Sequence, residues 1–222
     1  DLNMPQGVTQ ISRETYDLHM QILWWCVAIG VVVFGVMLWS IINHRKSKGA
    51  VSATFHESTK VEIVWTIIPF IILILMAIPA TRVLTEAYDA SESDLDIQVI
   101  GYQWRWEYRY LRQDSMEEEV SFFSSLSTPR EQISNELPKD ETYLLEVDNP
   151  LVIPINKKVR FLVTSNDVIH SWWVPDFAVK KDAIPGFINE IWAIVEEPGV
   201  YRGQCAELCG IEHGFMPIVV HA

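Results

Sequence analysis

Two long uncharged runs near the start constrain this chain more than anything else in it. Gln21–Asn43 holds 23 residues without a formal charge and Ile63–Thr81 another 19, both dominated by Val, Ile, Leu, Trp and Phe. A helix crosses the ~30 Å hydrocarbon layer of a bilayer in about 20 residues. Neither run keeps the polar stripe of a helix buried in a soluble core. Trp24, Trp25 and Trp39 near the ends of the first run, and Trp65 early in the second, suit interfacial belts. Pro69 and Pro79 fall where a membrane helix tolerates them. The expectation is a transmembrane α-helical hairpin with spans at 21–43 and 62–86, joined by a loop at 44–61.

Charge divides the chain at the same place. Residues 1–86 carry six Lys/Arg and six Asp/Glu, so the net charge of −12 falls on residues 87–222, where 23 acidic residues face 11 basic ones. The loop 44–61 holds Arg45, Lys46, Lys48 and Lys60 against Glu57, which places it in the cytoplasm by the positive-inside rule. An outer-face segment 1–20 and an acidic outer-face domain 87–222 follow from that orientation. The absence of Met or a signal-like stretch before Asp1 reads as a processed start. The acidic balance speaks against nucleic acid as a partner.

Past Arg82 the pattern becomes strand-like. Ile97–Tyr110 reads as one half-buried strand, with Tyr102, Trp104, Trp106, Tyr108 and Tyr110 alternating against Gln103, Arg105, Glu107 and Arg109. Residues 112–140, with Glu117–Glu119, several serines, Pro129 and Pro138, read as a long surface loop. Further strands are expected at Tyr143–Val147, Val159–Thr164, Ile188–Val195, Gly199–Gly203 and Pro217–His221, between turn dipeptides such as Asn149-Pro150 and Pro185-Gly186. Short strands separated by turns imply a small all-β sandwich or barrel.

Near the C-terminus, Cys205, Cys209, His213 and Met216 are spaced Cys-x3-Cys-x3-His-x2-Met in a segment broken by Gly210, Gly214 and Pro217. The glycines and the proline make a helix improbable, so the segment is a loop able to fold around an ion. His170, in Asp167–Trp172, supplies a second imidazole. Thiolates and thioethers select soft metals, and imidazole suits copper. A Cys205–Cys209 disulfide leaves His213 and Met216 unexplained. A Cys2His2 zinc site has the right ligand count but no use for Met216. One blue-copper site needs a single thiolate. Two coppers sharing two bridging sulfurs would use two thiolates, two imidazoles and one thioether. Spacing alone leaves all of these open.

The Cys205–Pro217 run, the Asp167–Trp172 run and the aromatic stretch Gly101–Tyr110 together resemble subunit II of cytochrome c oxidase, of the haem–copper type, and the likeness extends over nearly the whole chain. The resemblance implies a cupredoxin-like Greek-key barrel holding a binuclear copper centre, CuA. It implies Cys205 and Cys209 as bridges, His170 and His213 as terminal ligands, and Met216 and the carbonyl of Glu207 as weak ligands. It also implies a Mg²⁺ site at the subunit I boundary reached by the Glu207 side chain, Trp104 as acceptor of the electron from cytochrome c, and Glu62 as proton uptake to a channel of subunit I. The location would be the inner membrane of a bacterium or mitochondrion, with the copper domain on the periplasmic or intermembrane side.

Independently of the resemblance, acidic residues near the metal loop would steer a basic partner; Asp167, Asp148, Asp176 and Glu190 are candidates. No second metal cluster or haem ligand pair is visible, so dioxygen reduction and proton pumping would belong to an assembly. The rival from another class is a membrane-anchored copper chaperone or structural zinc protein without electron transfer. A quinol-oxidase subunit II would share the fold but lack the copper ligands. Cys26, in a membrane span, reads as packing.

Overall fold

The structure, a computed structural model, describes residues 3–112, 114–115 and 117–222. Asp1, on which the reading of a processed start rests, lies outside them. Two compact units form: Leu84–Ala222 together with the chain up to Thr15, and Tyr16–Val83.

The second unit is built from two helices, α1 (Gln10–Asn43) and α2 (Thr59–Tyr88), which extend beyond it into the first. Both are long and apolar enough to cross a membrane, with mean hydropathies of 2.4 and 2.6 over their most apolar windows and no buried residues there. At 1.5 Å per residue, the 34 residues of α1 reach about 51 Å, well beyond the hydrocarbon thickness. Helix α1 thus starts eleven residues before the uncharged run does. The cause is a cap invisible to hydropathy. The Ser12 backbone N–H donates to Thr9 Oγ1 at 3.0 Å, and the Thr9 N–H donates to Ser12 Oγ at 3.0 Å. This reciprocal pair satisfies donors that a helix start leaves open. Pro69 and Pro79 lie inside α2.

Among the described residues, the first unit carries ten strands in two five-stranded mixed sheets. One has the order β3 (Glu118–Ser124), β2 (Arg105–Leu111), β1 (Leu95–Tyr102), β5 (Val159–Ser165), β8 (Asn189–Ala193). The other has the order β4 (Leu151–Val152), β10 (Pro217–His221), β9 (Val200–Cys205), β6 (His170–Val174), β7 (Val179–Ala183). The pairs β1–β5 and β4–β10 are parallel and the rest antiparallel. One core draws on both sheets: Trp106, Tyr108 and Phe161 meet Trp172, Ile218 and Val220, all buried. The Trp172 indole N–H donates to the Tyr108 hydroxyl at 3.2 Å, which satisfies a polar atom inside an apolar core. This is a barrel-like β-domain following two apolar helices, as expected.

The start of the chain belongs to this unit. Val8 N donates to Asp176 O at 2.9 Å, Glu196 N donates to Val8 O at 3.1 Å, and Thr9 Oγ1 donates to Phe177 O at 3.0 Å.

Several expected elements differ. Ile97–Tyr110 is a hairpin, because the chain turns at Gln103–Trp104, with a cis peptide between them, and β1 pairs back on β2 with Tyr102 opposite Arg105. Period-two alternation continues across a two-residue turn, so it hides the break. The loop expected at 112–140 contains β3 and a helical turn, α3 (Arg130–Ile133). Charged, exposed β3 is an edge strand, and edges are where charge is placed against aggregation. Tyr143–Val147 makes turns and a single bridge, Leu126 to Val147, with Leu144 at φ 61°. Strands β4, β6 and β7 carried no signal read from the sequence; β7, Val-Lys-Lys-Asp-Ala, is another polar edge.

Candidate metal centre

His170 opens β6, and the register of β6 on β9 sets Trp172 opposite Cys205. The Ala206 N–H donates to Ser171 O at 3.0 Å just past that ladder. These pairings bring the last residue of β9 beside the first of β6. The chain then leaves the sheet, turns at Gly210 (φ 119°), makes a short 3₁₀ turn at His213–Phe215, and re-enters as β10, with Pro217 opposite Gln204. Returning antiparallel to β9 carries Met216 back to Cys205 and Cys209.

Six donors meet there. The sulfurs of Cys205 and Cys209 lie 3.9 Å apart and both thiols are free, so the pair is not a disulfide. Cys205 Sγ lies 3.9 Å from His170 Nδ1 and 3.3 Å from the Glu207 carbonyl oxygen. Cys209 Sγ lies 3.5 Å from His213 Nδ1 and 3.6 Å from Met216 Sδ. Each sulfur therefore has one imidazole and one weaker donor as neighbours. Among the described residues, the one set of three or more His, Cys, Asp or Glu donors mutually within 4.8 Å is His170, Cys205 and Cys209. That donor chemistry fits soft metal ions, and its two-fold arrangement fits two of them.

Cys205, Cys209, His170 and Met216 are buried and His213 is half-buried. Burial, followed by the neighbouring Cys205 thiol, pushes the Cys209 thiol up to about 12. Two adjacent thiolates in such a site therefore require cationic charge beside them, and metal ions are the group that brings thiols to the thiolate form. Without a metal the two sulfurs rest as neutral thiols, and they fit a metal centre to which they would give up their protons.

The surrounding shell fixes the ligands. His170 Nε2 faces Asp167 Oδ1 at 2.8 Å, which leaves Nδ1 for the sulfur side. Burial works to raise the Asp167 pKa, but His170 and the N–H groups of Val168 and Gln103 outweigh it and hold the carboxyl below its ordinary value. Trp106 donates to Met216 O at 3.2 Å and meets the His170 ring edge-on at 5.9 Å. Gly101 is required by space: a Cβ there would lie 2.7 Å from His170 Cδ2.

Trp104 sits at the β1–β2 turn with its indole N–H 3.1 Å from the Cys209 carbonyl oxygen, so it lies against the metal loop. Gln103 Nε2 donates to the same carbonyl at 2.8 Å. The roles of Gln103, Gly101 and Gly210 were missed, because no spacing rule links a hairpin tip to a loop a hundred residues away. Asp167 carried a readable signal, a carboxylate three residues before a candidate ligand histidine.

Glu62 belongs to the helical unit, in the first turn of α2, beside a shallow cleft of about 320 Å³ with Thr59, Ile63, Thr66 and Ile67. The Glu207 side chain is exposed. Of the carboxylates expected around the metal loop, Asp167 is in place against His170. Asp176 follows the far end of β6 from His170, Glu190 reaches Arg160 at 4.0 Å, and Asp148 accepts from Ser125 N at 2.7 Å.

Comparison with known proteins gives a consistent result. The family model "Cytochrome C oxidase subunit II, periplasmic domain" matches residues 95–222, and the corresponding transmembrane-domain model matches residues 1–83. A probable cytochrome c oxidase subunit 2 of Rickettsia felis is 45% identical over 211 residues, 95% of this chain and 64% of that protein. Its Rickettsia bellii counterpart is 44% identical, covering 95% of this chain and 75% of that protein. Cytochrome c oxidase subunit 2 of Arabidopsis thaliana is 40% identical, covering all of this chain and 84% of that protein. The crystal structure of the periplasmic domain of subunit II of cytochrome oxidase of Bradyrhizobium japonicum aligns with a TM-score of 0.50 at 40% identity, over 60% of this chain and 86% of that one.

Proposed function

The chain belongs to the cytochrome c oxidase subunit II family, and from that premise we propose that its β-domain holds the binuclear copper centre CuA and relays single electrons from cytochrome c to haem in subunit I. The observation that carries this reading is the pairing of each cysteine sulfur with one imidazole and one weaker donor. When bound, two coppers sharing two sulfurs supply a one-electron store whose bonds change little between oxidation states.

Cys205, Cys209, His170 and His213, with Met216 and the Glu207 carbonyl as weaker donors, would hold the copper pair. The ligands come from two strands and a loop braced by them, so their positions are set before any electron arrives and little rearrangement is needed. Trp104 gives a path from the surface to Cys209 through its hydrogen bond to that residue's carbonyl. The acidic β-domain steers basic cytochrome c, chiefly by long-range field. Dioxygen reduction and proton pumping are properties of the assembled oxidase, in which Glu62 serves proton uptake into subunit I. The Glu207 carboxylate, free of the copper site, is available to a Mg²⁺ ion shared with subunit I. Positive residues in the loop 44–61 place that loop in the cytoplasm and the copper domain on the periplasmic or intermembrane side of the inner membrane. A metallochaperone needs exchangeable ligands, and buried donors disfavour that reading.

Metal analysis with EPR on the copper-loaded full-length chain tests the proposal. Two coppers per chain sharing one delocalised electron is the expected result; one zinc, or a localised single-copper spectrum, overturns it.

A further inference from the structure

Gln103 touches both halves of the metal loop's support. Its backbone N–H donates to Asp167 Oδ2 at 2.7 Å, and the other oxygen of the same carboxylate orients His170. Its side-chain Nε2 donates to the Cys209 carbonyl at 2.8 Å, alongside the Trp104 indole N–H at 3.1 Å. Gly210 leaves room for both. A Cβ there would lie 2.9 Å from Trp104 Cζ2 and 3.1 Å from Gln103 Nε2. Two N–H dipoles thus converge on one peptide oxygen between a ligand sulfur and the turn that carries Trp104.

Resting on the copper reading above, we infer that Gln103 is a positioning residue for electron uptake: it fixes the Trp104 indole against the metal loop and, with it, favours the reduced centre. The physical cause is electrostatic. The positive ends of both dipoles point at the Cys209 peptide from hydrogen-bond distance, beside the buried Cys209 side chain. An arriving electron adds negative charge to the sulfurs beside that peptide. Withdrawing one donor makes the electron less welcome and frees one side of the Trp104 turn. Gln103 is itself exposed, so the rival reading is a contact made with the docking protein, and the two differ in what they move.

The test uses the assembled oxidase with full-length chain, comparing Gln103→Leu, Gln103→Asn and Trp104→Phe with the parent. Gln103→Leu should keep the parent's copper content and EPR spectrum. The electron-sharing equilibrium between the centre and cytochrome c should shift about three- to tenfold toward cytochrome c; tenfold is about 59 mV for one electron. The kcat should fall while KM for cytochrome c stays put. Trp104→Phe removes the other donor and should lower the potential in the same direction, whatever it does to rate. An unchanged potential in Gln103→Leu overturns the inference, as does a raised KM with unchanged potential, which marks a docking contact. If Gln103→Leu fails to load copper, the potentials of Gln103→Asn and Trp104→Phe decide, and unchanged values there overturn it equally. A parent that holds no copper pair fails the proposed function instead.

Discussion

At the scale of single residues, the centre depends as much on atoms that are missing as on those that bind. Gly101 has no Cβ where one would meet the His170 ring at 2.7 Å. Gly101→Ala must push either β1 or the imidazole, and His170 is fully buried with nowhere to retreat. The expected outcome is a chain that folds but loses at least tenfold in copper affinity, in line with disruption of residues that orient ligands, read by copper titration. Met216→Leu makes the complementary case. It keeps the buried volume and removes a weak thioether ligand, so copper content should hold while the reduction potential shifts. Cys209→Ser should abolish the dicopper EPR signal, and an intact signal would contradict a bridging sulfur. Soft donors at Cys205, Cys209, His213 and Met216 were legible as candidates from their spacing, whereas Gly101 was not, since nothing local distinguishes a glycine that a distant histidine requires.

At the scale of elements, the parallel pairing of β1 with β5 holds the sheet that carries the Trp104 turn, and Asp96 sits opposite Arg160 in it. Arg160 grips the buried Asp96 through two hydrogen bonds of 2.8 and 2.7 Å, and Ser93 adds a third at 2.6 Å. Burial raises the Asp96 pKa, but the bonds from Arg160 and Ser93 prevail and leave it below the ordinary carboxyl value. A depressed folded-state pKa contributes stability that is present above the unfolded value of about 3.9 and lost as pH falls through the folded one. Acid unfolding followed by circular dichroism should show this component disappearing below about pH 4. Asp96→Asn should abolish it and cost about 3 kcal/mol at neutral pH, because Arg160 is left partly buried without its main partner. A denaturation midpoint unchanged at pH 7 would refute the pair's role. The N-terminal cap belongs to this scale too: Thr9→Ala removes the Ser12 cap and the bond to Phe177 O, and should lower stability by about 1–2 kcal/mol.

At the scale of the whole molecule, the acidic excess falls on residues 87–222, where 23 acidic residues face 11 basic ones. Asp176 follows the far end of β6 from His170 and Glu190 reaches Arg160, so under the proposed function attraction of a basic partner would come chiefly from the net charge of −12 and fall with screening. Raising ionic strength from about 0.01 to 0.15 M contracts the Debye length from about 30 to 8 Å. The kcat/KM for cytochrome c should then drop at least tenfold, while single neutralisations at Asp176 or Glu190 should change it less than twofold. Steady-state kinetics across salt checks both. A large effect of either single variant would restore a local acidic patch.

The sequence by itself determined the division of the chain, the apolar character of its start and the soft-donor chemistry of its candidate site. Uncharged length and soft donor spacing are properties of contiguous residues, and they survive any arrangement of the rest. Tertiary structure alone decided how the β-domain closes. It joined Thr9 and Val8 to the β-domain, turned the aromatic run back on itself at Gln103–Trp104, and made a strand of the charged segment Glu118–Ser124. It also brought Gly101, Gln103 and Asp167 against a loop that begins at Cys205. Those contacts depend on sheet order and register, and pairing partners far apart in the chain leave no local periodicity to read.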